Sequence, residues 1–211
     1  MSEHAPQNPV TAIIVRPVIA AGPLWIVASV VVAASGWKLA NPAPTARAMR
    51  ALVTASPSRR PATQGAWVGS ARLLGIGEGL VALAVVWRGG NAAFALAALY
   101  GAFALIALRL RNRNVDCGCF GAASTKASWI HVSVNVAAAA CAAWAAAVGV
   151  PGVADALGEL PAHGVAHLAL VPAGAAAMVA LLTVLPGVRE LSRARPVADQ
   201  PVLFRLRPEV T

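Results

Sequence analysis

Long apolar runs, separated by short basic or glycine-rich breaks, set the pattern of this chain. A helix needs about 20 apolar residues to cross a bilayer. Five runs approach that length: Val18–Trp37, Ala66–Trp87, Ala92–Leu108, Ala127–Val150 and Gly164–Val188. Their backbone groups must be satisfied within each segment, so the runs are predicted as helices. Alanine and glycine dominate them, which permits close helix–helix approach. The expected fold is therefore all-α, a polytopic transmembrane bundle of about five spans. The second span carries Arg72 and Glu78 and is the weakest by pattern.

The breaks differ in character. Residues 39–65 form a long basic connection whose stretch ANPAPTARAMRALV suits a short amphipathic helix at the membrane interface. Residues 88–91 read as a tight turn, residues 109–126 as a basic loop, and residues 151–163 as a connection without Lys or Arg. The tail from Arg189 is basic and contains prolines, the pattern of a poorly ordered end. The expected organisation is an N-terminal tail (1–17), a four-span domain (18–150), a loop with the fifth span (151–188) and the tail (189–211). The N-terminal 17 residues lack the features of a cleaved signal peptide, so the first span is expected to be retained.

Composition agrees with this pattern. The chain of 211 residues is 58% hydrophobic and 12% charged, and its mean hydropathy is +0.68. The net charge of +9 does not point to nucleic acid, because the cations lie between apolar spans rather than along one soluble face. They decide orientation instead. Lys38, Arg47, Arg50, Arg59 and Arg60, then Arg109, Arg111, Arg113 and Lys126, then the arginines of the tail, all fall on one side of a five-span topology. The other side has Arg16 and Arg88. Cytoplasmic loops carry the Lys and Arg excess, so the expected protein lies in the cell membrane with its N-terminus outside. The 109–126 loop and the C-terminus are then cytoplasmic.

That loop contains the pattern richest in chemistry. Cys117 and Cys119 flank Gly118, with Asp116 before them and Phe120 and Gly121 after. Two cysteines one residue apart can close a small strained disulfide ring, and Gly118 supplies the freedom that such closure needs. Strain makes the bond labile and competent for exchange. Arg109, Arg111, Arg113 and Lys126 favour the reactive thiolate, and Asp116 can act as a local proton acceptor. Two alternatives stay open: a soft ion such as Cu(I) held by the paired thiolates, or two cysteines that merely fill a turn. Cys141 lies about 20 Å further along the fourth helix and reads as a packing residue.

Other polar positions fall inside the spans. Glu78 is costly there unless paired or hydrated. It reads either as a proton-handling carboxylate beside a redox centre or quinone, or as the partner of Lys38 or Arg72. Arg72 lies on a different helix face, and Lys38, at a helix end, can snorkel to the interface. His131 and Asn135 share one face of the fourth helix and are read first as interhelical hydrogen-bonding groups. A two-histidine metal site at His163 and His167 is a weak alternative. GIGEG, residues 75–79, has no preceding strand and reads as close helix packing rather than a nucleotide loop. Trp25, Trp37, Trp67, Trp87, Trp129 and Trp144 mostly fall near span ends, as interfacial anchors do.

DCGCFG, residues 116–121, resembles the signature of the methylamine-utilisation MauE family, related to DoxX-like redox-associated membrane proteins. Ser35-Gly36-Trp37-Lys38-Leu39 with Pro42, Glu78 in the second span and Asn135 after the cysteines agree with that resemblance, which covers roughly residues 18–150. It implies a four-helix DoxX-like core, to which the fifth span read from hydropathy adds a C-terminal helix. It also implies thiol–disulfide chemistry at Cys117 and Cys119, supported by Asp116, Gly118, Phe120, Gly121, Lys38, Glu78, His131 and Asn135. The implied partners are the lipid bilayer and a thioredoxin-like or other redox protein, with no nucleic acid. In methylamine-utilisation systems the implied role is maturation of a disulfide-rich dehydrogenase. No cofactor or bound metal is predicted, a quinone being the one candidate acceptor. The alternatives are a non-catalytic membrane scaffold for a redox enzyme and a metal or small-solute carrier.

Overall fold

A computed structural model describes residues 9–53, 64–117, 126–153, 155, 170–182 and 184, with side chains from residue 21 onward, Gln64 excepted. Among the described residues the architecture is helical: α1 (Pro9–Ala40), α2 (Ala43–Val53), α3 (Gln64–Arg88), α4 (Ala92–Asn112) and α5 (Trp129–Ala147). A shorter apolar helix, α6 (Leu170–Leu182), follows. Four segments have the length and hydropathy to span a membrane: Ala21–Ala40, Gly65–Arg88, Ala92–Asn112 and Trp129–Ala147. The protein is a polytopic helical membrane bundle. Of the fifth expected span, the described part is α6, and the remainder lies outside the described residues, as do the 1–8 segment and the basic tail.

The bundle is apolar on both its inner and outer faces, and what distinguishes them is side-chain size. On α3, the residues Ala71, Gly75, Glu78, Ala82 and Val85 face inward, while Leu73, Ile76, Leu80, Leu83 and Trp87 are exposed. Both stripes follow the 3.6-residue period. Lipid gives helices no hydrophobic drive to associate, so small residues that let backbones approach take the inner face. The main core gathers Leu24, Trp25, Val31, Val85, Leu96, Tyr100 and the alanines of α5. Trp25, expected as an interfacial anchor, lies in this core at 2% exposure, whereas Trp37, Trp87, Trp129 and Trp144 are exposed at helix ends. Tyr100 can be buried because its hydroxyl donates to the Val27 carbonyl of α1 at 2.7 Å.

Each end of the bundle is closed by a distinct device. At one end the α3–α4 turn, Gly89–Gly90, pairs with the chain leaving α5: Gly89 bridges Pro151, and Gly90 N–H donates to the Val150 carbonyl at 2.7 Å. Gly89 has a φ of +57°, and a β-carbon there would collide with the Val150 carbonyl. At the other end Pro42, which cannot continue α1, leads into α2. α2 and the base of the 109–126 segment lie together at this second end.

Candidate functional site

The second end is built from α2, the end of α4 and the start of α5. Asn114 takes a φ of +56°, a left-handed conformation that asparagine tolerates better than most residues. This turns the chain back after α4, with Val115 N–H bonded to the Leu110 carbonyl at 3.1 Å. Asp116 then bridges Lys126 in antiparallel fashion, and Ala127 N–H donates to the Val115 carbonyl at 3.2 Å. The base of the cysteine loop is thus a short two-stranded clip. Gly118, Cys119, Phe120 and Gly121 lie outside the described residues.

Cys117 points inward from this clip. It is 7% exposed and packs in a small cluster with Ala48 of α2, Leu110 of α4 and Ala127. Arg113 holds α2 in place over the cluster: its guanidinium donates to the carbonyls of Ala51 and of Leu52, the latter at 3.0 Å. Those carbonyls belong to the last turn of α2, where helical partners run out. Arg111 stacks on the Trp129 ring at 4.1 Å from its centroid, joining α4 to the start of α5. Asp116 and Lys126 are exposed.

Below this end lies a buried ion pair. Lys38 Nζ donates to Glu78 Oε2 at 2.5 Å, and the two side chains are 5% and 1% exposed. Lys38 therefore does not snorkel outward, and Arg72 is exposed and not the partner. The pair forms because α1 seats against a notch in α3. A β-carbon at Gly75 would come within 3.1 Å of Lys38 Cβ and 3.3 Å of the Ser35 carbonyl, and one at Gly79 within 3.5 Å of Ser35 Cβ. The two motifs singled out in the sequence, SGWKL and GIGEG, thus meet face to face. Phe103 of α4 completes the lining, its ring centroid 5.6 Å from Lys38 Nζ and in edge contact with Tyr100. Among the described residues Glu78 Oε1 is buried without a hydrogen-bond partner. From Phe103 to Leu110, which touches Cys117, is about 10 Å along α4, so the pair lies one to two helical turns deeper than the cysteine.

His131 and Asn135 make local rather than interhelical hydrogen bonds. His131 Nδ1 accepts from the Ser128 backbone N–H at 3.2 Å and contacts the Ser128 hydroxyl at 3.0 Å. The two residues form a reciprocal cap on α5, which satisfies N–H groups that the first helical turn leaves open. Asn135 donates to the His131 carbonyl at 2.6 Å. His163 and His167 lie outside the described residues, and among the described residues no three His, Cys, Asp or Glu side chains gather as a metal site. Cys141 is half-buried on α5 and lines an open apolar groove with Val27, Val134 and Met178.

Three contributors carry no signal of their own in the sequence. Phe103 sits in an uninterrupted apolar run, Ala48 is one alanine among many, and Arg113 is one of several cations beside the cysteines. The amphipathic pattern of α2 was the one clue that something covers this end.

Residues 16–148 match the family described as methylamine utilisation protein MauE. No curated protein and no solved structure matches the chain. The matched region holds α2 to α5, the ion pair, the glycine notch and the cysteine loop, and the chain belongs to the MauE family.

Proposed function

We propose that this protein is an integral membrane component of thiol–disulfide exchange, working through Cys117 and Cys119 with a thioredoxin-like partner. As in the process that names its family, methylamine utilisation, the task assigned is support for maturation of a disulfide-rich enzyme. The observation that carries this reading is the setting of Cys117: a thiol at the loop-bearing end of the bundle, 7% exposed beneath α2, whose last turn Arg113 ties to the end of α4.

That burial divides the labour. The buried Cys117 suits the resolving role, which leaves the attack to Cys119. The Cys119 thiolate attacks one sulfur of a partner disulfide, forms a mixed disulfide and expels the other partner sulfur as thiolate. The Cys117 thiolate then attacks the Cys119 sulfur, closes the Cys117–Cys119 bond and releases the second partner thiolate. The partner gains two electrons and the pair loses two, while the two thiol protons pass to the partner sulfurs through water or Asp116. The reverse sequence oxidises a partner dithiol. Gly118 supplies the freedom for ring closure, and Lys126 and Arg113 favour thiolate; Phe120 and Gly121 complete the sequence motif. Lys38 and Glu78 form a charged floor beneath, where Glu78 is the group suited to exchange a proton with a quinone, and the cap at His131, with Asn135, fixes the start of α5.

The test is a redox titration of the Cys141→Ala protein, with thiols alkylated and counted by intact mass. A reversible two-electron transition between about −120 and −270 mV is expected. Cys117→Ser should accumulate a mixed disulfide with an oxidised thioredoxin-like protein, and Cys119→Ser should not. Two thiols that stay reduced across the whole series would end the exchange reading. The apolar packing of Cys117 favours one second reading, a scaffold whose cysteines are structural; it predicts that the double serine variant still binds and supports its partner.

A further inference from the structure

Helix α2 does more than cover Cys117. The face next to Ala48 carries Ala43, Ala46, Arg47 and Arg50, at the spacing of one helical stripe, and turns toward the start of α3. Together with Trp67 and Val68 these residues enclose a cavity of about 170 Å³. Its lining thus joins two alanines, two arginines and an indole. We propose that this groove binds the phosphate head group of an anionic phospholipid.

Position, charge and size all support that ligand. The spans next to the groove end at Ala40 and begin at Gly65, which puts the groove at the level where head groups lie. A half-buried tryptophan at that level is a usual interfacial residue. The two arginines bring positive charge to the groove, and neither α2 nor α3 before Glu78 contains Asp or Glu. Arginine's planar fork suits phosphate oxygens, and basic pockets beside membrane helices take anionic head groups. The volume equals that of roughly five or six waters, room for a phosphate and the glycerol carbons beside it but not for acyl chains. Those chains have the lipid-facing surface of the bundle, where Leu73, Ile76 and Leu80 of α3 are exposed. Arg47 is exposed and Arg50 partly buried, so Arg47 can reach a passing head group while Arg50 lies closer to the protein.

The proposal is tested on the full chain in dodecylmaltoside micelles by native mass spectrometry, titrating dioleoylphosphatidylglycerol or dioleoylphosphatidylcholine. One phosphatidylglycerol should be retained at least tenfold more tightly than phosphatidylcholine. Arg47→Gln/Arg50→Gln should lose on the order of 30-fold, from two surface cations each acting on an anionic head group. Arg47→Gln alone, at an exposed position with little bearing on folding, should lose roughly fivefold. Ala43→Leu keeps every charge and fills the groove, and should also lose the lipid. Arg72→Gln/Arg109→Gln removes the same charge from exposed positions outside the groove and should bind as the parent does. Equal retention of the two lipids, an equal loss in the Arg72/Arg109 variant, or full retention in Ala43→Leu would each overturn the site. Displacement of the lipid by millimolar inorganic phosphate would make it a free-phosphate site and overturn the lipid assignment.

Discussion

Replacing Lys38 with methionine leaves Glu78 buried with neither oxygen paired. In the native protein the ammonium meets Oε2 at 2.5 Å, while Oε1 already lacks a partner among the described residues. Breaking one side of a buried pair costs about 3–5 kcal/mol, because the remaining charge is uncompensated. Lys38→Met should fall in that range, a large share of the ~5–15 kcal/mol that holds an average domain together. Glu78→Met should sit toward the lower end, since Lys38 keeps the Phe103 ring at 5.6 Å, a contact worth about 1 kcal/mol. Removing both charges at once restores an apolar seam, and the double variant is expected within ~1 kcal/mol of the parent. The assay is reversible unfolding in mixed dodecylmaltoside and dodecyl sulfate micelles, followed by tryptophan fluorescence. The decisive quantity is non-additivity, which for residues in direct contact should far exceed the ~0.5 kcal/mol scatter of independent sites. Single variants that each cost under ~1 kcal/mol and simply add in the double would show a hydrated, screened pair and refute the reasoning.

Gly75→Ala should loosen the α1–α3 seat, because the added carbon lies 3.1 Å from Lys38 Cβ and 3.3 Å from a backbone carbonyl; a loss of ~1–3 kcal/mol is expected in the same assay. Gly77→Ala, with nothing within 4 Å of the new carbon, should be neutral or gain up to ~1 kcal/mol from helix propensity. Gly89→Ala forces a left-handed backbone on alanine and drives its β-carbon into the α5 exit, so ~2 kcal/mol or more should be lost. Arg113→Ala releases the last turn of α2, and Cys117 in the Cys141→Ala background should then be alkylated several-fold faster by a water-soluble maleimide, read by peptide mass; an unchanged rate would show that α2 does not depend on this tie. Tyr100→Phe removes the 2.7 Å bond to Val27 and should cost ~1 kcal/mol.

Much of the architecture was legible along the chain because its causes are local. Hydropathy over about 20 residues decides where a helix crosses lipid, so four spans fell where α1, α3, α4 and α5 are found. Gly89 and Gly90 marked a turn, and the distribution of Lys and Arg grouped α2 with the cysteine loop at one end of the bundle. The family resemblance rested on short motifs whose order survives in the sequence, and residues 16–148 carry it.

The candidate site was legible in its parts and not in its assembly. Lys38, Glu78 and Cys117 stand out because charges and thiols are rare in such spans, yet whether Glu78 pairs with Lys38 or Arg72 depends on how far α1 and α3 are rotated and how closely they approach. The Gly75–Gly79 notch settles that by letting Ser35 and Lys38 reach the α3 backbone. His131 and Asn135 were read as links between helices, but a ring beside Ser128 satisfies the helix start without leaving its own segment. Trp25 shares the interfacial composition of the other tryptophans, and only the packing of α1 within the bundle decides that it faces the core. The sequence by itself therefore determined which segments are helices, which ends they share and which residues bear the chemistry, since hydropathy, turn chemistry and charge act over a few neighbouring residues. The tertiary structure alone decided the partners: Lys38 with Glu78, α2 over Cys117, and the arginines of α2 facing Trp67. Those pairings are distances between distant parts of the chain, set by helix rotation and close approach that no local pattern encodes.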